Sequence, residues 1–184
     1  MEYSDRRVRK TRAAINTAII SLLKRKNFHD ITIQDIADEA DIGKATFYRH
    51  YPDKYALVED LVLARLEIFY HKMRINPKIT MTLENLQQLR AFVIEIKPFR
   101  GINQSELNVD RLIKDWLAEF LESHLSLATQ GNLYSPHSTA KIMAATLLEL
   151  LDEYDSGEVQ LTPENIKHQL SDLRSVLASF DYQM

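Results

Sequence analysis

The sequence predicts an all-α protein: an N-terminal three-helix head of helix-turn-helix type, then a larger helical body ending in a helix pair suited to a dimer interface. Three observations predict it. Apolar residues recur at helical spacing along most of the chain, from Ile15, Ala18, Ile19, Leu22 and Leu23 near its start to Ile166, Leu170, Leu173 and Leu177 near its end. Few segments alternate β-branched and aromatic residues in the period of a strand, so no sheet is expected. Four glycines and five prolines fall between the periodic stretches rather than inside them.

Each element follows from this pattern. A first helix is predicted near residues 5–26. Ile33, Ile36, Ala37 and Ala40 then form the apolar stripe of a short second helix, which Thr32 and Asp35 open as a capping box. Asp41-Ile42-Gly43 makes a tight turn, and Lys44 to His50 form a second short helix whose surface carries Lys44, Thr46, Tyr48, Arg49 and His50. Tyr51-Pro52-Asp53-Lys54 stops that helix and starts a long one over 54–72, with Leu57, Leu61, Ala64, Ile68 and Phe69 inward. Further helices are predicted near 82–96, 109–129, 138–155 and 163–180, with 97–108 polar and irregular; Thr162 caps the last, and Pro163 takes its first helical position.

Two short helices joined by a tight turn, the second with a polar face, are the helix-turn-helix design, and the second helix is sized for a DNA major groove. The residues expected to meet DNA are Thr32, Lys44, Ala45, Thr46, Tyr48, Arg49, His50 and Lys54, with Arg6, Arg7, Arg9 and Lys10 of an N-terminal basic arm. With Arg12 that arm holds five cations within seven residues, enough to bind phosphates without sequence preference.

The segment resembles the TetR-type bacterial transcription regulators. Phe28, Ile33, Ile36-Ala37, Ala40, Ile42, Thr46-Phe47-Tyr48, His50-Tyr51, Lys54 and Leu57 carry the resemblance, which covers residues 8–60. Asp41 stands where the family usually has a turn glycine, and Gly43 where a serine often caps the recognition helix. Asp tolerates left-handed backbone better than most residues, and glycine is an acceptable N-cap. The resemblance implies a DNA-binding domain over 1–53 and a ligand-binding and dimerisation domain over 54–184. It also implies an effector pocket in the body and a four-helix subunit interface from the last two helices of each subunit.

Composition bounds the alternatives. The net charge of −3 is unevenly spread: residues 1–72 carry +2 and residues 73–184 carry −5, which suits docking on nucleic acid by one end. Zero cysteines exclude disulfides, thiolate catalysis and Cys-zinc sites. No apolar run reaches membrane-spanning length and no signal segment follows the basic N-terminus, so the chain is expected in the cytoplasm without a membrane partner. No phosphate loop, HExxH motif or nucleophile elbow occurs, and no two of the six histidines are paired at i+3 or i+4. An enzyme, a cofactor and a metal are therefore not expected.

In the body, Trp116, Phe120 and His124 share one helix face. They either pack as core or line a ligand cavity for an unknown small-molecule effector. Ile166, Leu170, Leu173 and Leu177 form a heptad seam, and the preceding helix, with Leu147 and Leu151, is apolar around more than half its surface. A helix apolar on two sides needs partners on two sides, so these six residues are expected at a homodimer interface. The expected function is a ligand-responsive regulator, a repressor, bound as a homodimer to a palindromic double-stranded DNA operator. The alternative is a TetR-like co-activating interaction partner that does not bind DNA itself.

Overall fold

The computed structural model describes residues 2–74, 83–128 and 135–156, together with 162, 164–165, 167–169, 171–172 and 175; within these ranges the side chains of 2–5, 73–74, 83–86, 89–90, 124–128, 150–152 and 154–156 are not described. The helices are α1 (Glu2–Leu23), α2 (Ile33–Glu39), α3 (Lys44–Tyr48), α4 (Lys54–Arg74), α5 (Leu83–Ile96), α6 (Val109–Ala128) and α7 (Pro136–Ser156). Short 3-10 turns lie at Phe28–Asp30 and Lys97–Phe99. Among the described residues there is no strand, only an isolated bridge between Asn103 and Asn108. No helix among them is long and apolar enough to cross a membrane.

The chain packs as two compact units of two segments each: residues 1–67 with 95–113, and residues 68–94 with 114–184. Their boundaries fall inside α4, α5 and α6.

In the first unit, Ile15, Ala18, Ile19 and Leu22 of α1 are buried with Ile36 and Ala37 of α2, Phe47 of α3 and Leu57, Val58, Leu61 and Val62 of α4. The second segment adds Ile96, Phe99, Ile102, Leu107, Val109 and Ile113, all buried. Residues 97–108, expected to be irregular, are ordered by short-range bonds. Gln104 and Leu107 exchange backbone hydrogen bonds at 2.9 and 3.2 Å, and Val109 N donates to Ile102 O at 2.9 Å. Gly101 takes a φ of 78°, a left-handed conformation that glycine adopts without steric cost.

The second unit is built on aromatic packing. Phe69 stacks on Phe92 with centroids 4.4 Å apart, and Trp116 stacks on Phe120 at 5.6 Å with planes 6° apart. Phe120 and Leu121 are buried with Ala140 and Ala144 of α7, and Tyr70, Trp116, Leu117 and Leu147 pack against them. Ala64 and Ile68, expected inward on α4, are instead exposed, Ile68 by 50%. The buried stripe runs instead through Val58, Leu61, Val62, Leu66 and Phe69.

Beyond α7, the Thr162 hydroxyl accepts from Asn165 N at 3.2 Å, the cap expected there. Ile166, Leu170, Leu173 and Leu177 lie outside the described residues, as do the side chains of Leu151 and His124.

Candidate nucleic-acid interface

The turn between α2 and α3 sets the site. Thr32 and Asp35 form the expected capping box: Asp35 N donates to Thr32 Oγ1 at 3.1 Å and Thr32 N donates to Asp35 Oδ2 at 2.8 Å. The Thr32 hydroxyl also donates to that carboxylate, at 2.8 Å, so its hydrogen is engaged within the cap. Asp41 has a φ of 52°, the left-handed conformation a turn glycine would otherwise supply. Gly43, extended at φ −75°, is the N-cap of α3, and its carbonyl accepts from Thr46 N at 2.7 Å.

Two of the three acidic residues of α2 are engaged with the end of α1 and the turn after it, and the third, Asp38, accepts from Gln34 within α2. Asp35 pairs with Lys26 at 2.9 Å, and Glu39 pairs with Arg25 at 2.8 Å and accepts from Ser21 Oγ at 2.8 Å. Lys26 above all, with Thr32, holds the Asp35 carboxyl well below the ordinary carboxylate range, and Arg25 does the same for Glu39. These contacts fix α2 to the end of α1 and hold Asp35 and Glu39 on the cations that follow it.

α3 ends at Tyr48, shorter than the span to His50 expected from sequence. Arg49 and His50 continue it as a tightened turn, in which His50 N donates to Phe47 O at 2.8 Å. Phe47 is fully buried, edge-on to Tyr48 and tilted against Tyr51. With that side chain as the anchor, Lys44, Ala45, Tyr48 and Arg49 are exposed and Thr46 and His50 half-buried. Tyr48 is 52% exposed, an aromatic ring held in solvent. Arg49 Nη2 donates to Thr46 Oγ1 at 2.9 Å, which ties two of the expected DNA contacts together. Burial first, then the charges of Arg12 and Arg49, lowers the affinity of His50 for a proton. In the arm, Arg6, Arg7, Arg9 and Lys10 are all exposed on α1.

Lys54, expected to meet DNA, has its ammonium engaged within the head. Its ammonium donates to the carbonyls of Phe28 (2.8 Å), His29 (3.0 Å) and Ile31 (2.8 Å) and lies 4.6 Å from the centre of the Phe28 ring. An ammonium has three N–H donors, and all three are occupied here. A phosphate contact would have to displace one of these bonds. Burial lowers the Lys54 pKa, and the charges of Asp30 and Glu106 oppose that shift. Sequence reasoning missed this clamp because its acceptors are backbone atoms more than twenty residues away.

It also missed the network beside it. Arg12 Nε donates to Tyr51 Oη at 3.1 Å, Arg12 Nη2 pairs with Asp60 at 2.7 Å, and Tyr51 Oη lies 3.2 Å from Asp60 Oδ2 and 3.4 Å from Asn16 Oδ1. Pairing with Tyr51 and Asp60 raises the Arg12 pKa, and burial raises that of Tyr51.

Of the residues expected at a ligand site in the body, Trp116 is half-buried and Phe120 buried, and both belong to the aromatic packing of the second unit. Leu147, expected at a subunit interface, packs half-buried against the same cluster. Among the described residues, no group of three or more His, Asp or Glu is placed to hold a metal ion.

Residues 15–61 match the model of the bacterial regulatory proteins of the tetR family. The helix-turn-helix segment is thus similar to that family. The match covers most of the head, from the middle of α1 into α4. Over 158 residues the chain is 28% identical to YxbF of Bacillus subtilis, an uncharacterised HTH-type transcriptional regulator; the alignment takes in 81% of this chain and 41% of that relative, so the chain spans about two fifths of the relative's length. Among solved structures, a TetR transcriptional regulator of Streptococcus agalactiae 2603V superposes with a TM-score of 0.63 at 22% identity, over 92% of this chain and 97% of that one. NalD of Pseudomonas aeruginosa, the secondary repressor of the MexAB-OprM multidrug efflux pump, superposes at 0.62 with 16% identity, over 95% and 97%. Similarity at this level establishes a shared tetR-type fold.

Proposed function

We propose that this chain is a DNA-binding transcription regulator whose head, residues 1–53, reads a palindromic operator, and whose remainder, residues 54–184, binds a small-molecule effector and forms a homodimer. One observation carries the DNA reading: on α3, Phe47 is fully buried while Lys44, Ala45, Tyr48 and Arg49 stand exposed beside it. A buried anchor under a rim of donors and an exposed aromatic gives a groove-facing surface of fixed register. Lys44 and Thr46, near the start of α3, serve base edges. Tyr48, Arg49, His50 and the arm serve phosphates and fix position.

The dimer reading is supported by α7, where Ile142 is 67% and Met143 36% exposed although Ala140, Ala144 and Leu148 of the same helix are buried. Association of two chains would cover those apolar groups and set the spacing of the half-sites. The effector reading rests on the family, and the aromatic packing around Trp116 and Phe120 is where it would act. We assign repression as the sign of regulation, the role borne by NalD.

Selection of duplexes from a random pool by the purified chain tests the DNA reading. The expected result is a palindromic consensus that binds with steep salt dependence. Lys44→Ala is expected to relax one base pair in each half-site, and Tyr48→Ala to weaken all sequences alike. Recovery of no consensus, with equally weak binding of wild type and both variants at low salt, would replace this reading by that of a co-activating partner that does not touch DNA.

A further inference from the structure

We infer that Arg12 is a built phosphate contact, distinct from the exposed arm before it, and that Tyr51 and Asp60 are the positioning residues that hold its guanidinium at the end of the recognition helix. The inference rests on the DNA-reading proposal above and assigns a place within that same site.

Three elements converge on this side chain. Arg12 projects from α1, Tyr51 follows α3, and Asp60 belongs to α4. The guanidinium carbon lies 5.3 Å from the centre of the Tyr51 ring, so the plane is held by contact as well as by its bonds to the Tyr51 hydroxyl and the Asp60 carboxylate. Tyr51 is only 3% exposed and its phenol is itself fixed by Asp60 and Asn16. The seat is therefore rigid on its inner side.

The outer side is open. A guanidinium has five N–H donors, and the bonds to Tyr51 and Asp60 engage only those at Nε and Nη2. The side chain is 45% exposed. Arg49 and His50 close α3 immediately before Tyr51, and the charges of Arg12 and Arg49 both reach the His50 ring. Three basic groups thus gather at one end of α3, and of the two guanidiniums among them that of Arg12 is held by both Tyr51 and Asp60. A pre-oriented guanidinium loses less rotamer freedom on meeting a phosphate than a free arm residue does. Asp60 at 2.7 Å partly neutralises Arg12 but fixes its direction, and on this reading direction matters more.

The test uses the full chain and a fluorescent duplex selected from a random pool by the wild type, titrated from 50 to 300 mM KCl. Arg12→Ala is expected to lower the salt slope by about 0.9 for each head engaged, and affinity at 0.1 M salt by about eight-fold per head. Arg12→Lys keeps the charge without the fork, so it should retain the slope and bind with intermediate affinity. Asp60→Ala leaves the charge of Arg12 in place and should weaken binding several-fold at unchanged slope. Circular dichroism and melting temperature follow folding, and Arg12→Lys carries the comparison if Arg12→Ala does not fold. A wild-type slope in Arg12→Ala would overturn the inference and leave Arg12 a brace within the head. Tighter binding by Asp60→Ala would equally overturn it, because Asp60 would then act only as a counter-charge. If the wild type itself binds no duplex in a salt-dependent manner, the DNA-reading proposal falls and takes this inference with it.

Discussion

Lys54 and Phe28 are joined twice: the Lys54 ammonium donates to the Phe28 carbonyl at 2.8 Å and sits 4.6 Å from the centre of the Phe28 ring. The same ammonium gathers the carbonyls of His29 and Ile31. It therefore closes the segment between α1 and α2 onto the start of α4. This makes Lys54 a fastening of the head, with consequences that differ from those of a phosphate contact.

Lys54→Ala should destabilise the head by about 1–3 kcal/mol, the cost of leaving partly buried acceptors without their donor. Binding of a selected duplex should weaken while the salt slope stays at its wild-type value. Lys54→Arg should not restore stability, because a flat fork does not match three converging carbonyls. Thermal unfolding combined with a salt titration measures both effects. A slope lowered by about 0.9 per head, at unchanged stability, would return Lys54 to the phosphate role.

Phe47→Ala should unfold the head. The side chain is fully buried between Tyr48 and Tyr51, and large-to-small changes of this kind cost about 3–5 kcal/mol. Denaturant unfolding should show that loss, and duplex binding should vanish with it. Retention of wild-type stability would mean that α3 is not anchored as described.

Gly43→Ser should stabilise α3. The backbone at Gly43 is extended at φ −75°, and a Cβ built there meets nothing within 4 Å, so the serine fits without strain. Its hydroxyl would supply the side-chain cap that Gly43 lacks, a gain of a few tenths of a kcal/mol. At Asp41, with φ 52°, substitution by Val should instead cost about 1–2 kcal/mol, because a β-branched side chain opposes left-handed backbone. Melting temperatures of the two variants should move in opposite directions.

His50 should make DNA binding depend on pH. Burial and the charges of Arg12 and Arg49 depress its pKa below the ordinary imidazole value of 6.5. The unfolded chain therefore takes up the proton first as pH falls through 6.5, and the free protein loses stability from there down to the folded pKa. Above 6.5 both states are neutral and no such loss occurs. A phosphate placed beside the ring favours the charged form, so binding should take up a proton and tighten on acidification through that range. Anisotropy titrations between pH 5.5 and 8 check the sign, and His50→Gln should flatten the profile.

The local devices of the head were legible in the sequence because each is encoded within a few residues. The Thr32–Asp35 box, the left-handed Asp41 and the N-cap at Gly43 need only their own neighbourhood, and all three occur as read. The Lys54 clamp and the Arg12–Tyr51–Asp60 network were not legible. Their partners lie 23–26 residues from Lys54 and 39–48 from Arg12, and the clamp's acceptors are backbone carbonyls that carry no residue-type signal. On α4, periodicity placed Ala64 and Ile68 inward, yet both are exposed. Apolar spacing marks a face that can be buried, and which turns of it find a partner depends on packing remote in sequence.

A compact unit assembled from residues 1–67 and 95–113 also constrains the order of events during synthesis. The chain emerges N-terminus first, and α1 to α3 are complete before residue 50. Phe99, over which the Arg65 guanidinium lies at 4.9 Å, and the buried Ile96, Ile102, Val109 and Ile113 follow only after α5 has been made. Until residue 113 has left the ribosome, the nascent head lacks these apolar side chains of its own core, and closing it requires joining segments some thirty residues apart. A fragment cut at residue 53 or 67 would remain in that unfinished state. Such a fragment should aggregate more readily than the full chain, and co-expression of residues 95–113 as a separate peptide would be the natural attempt at rescue.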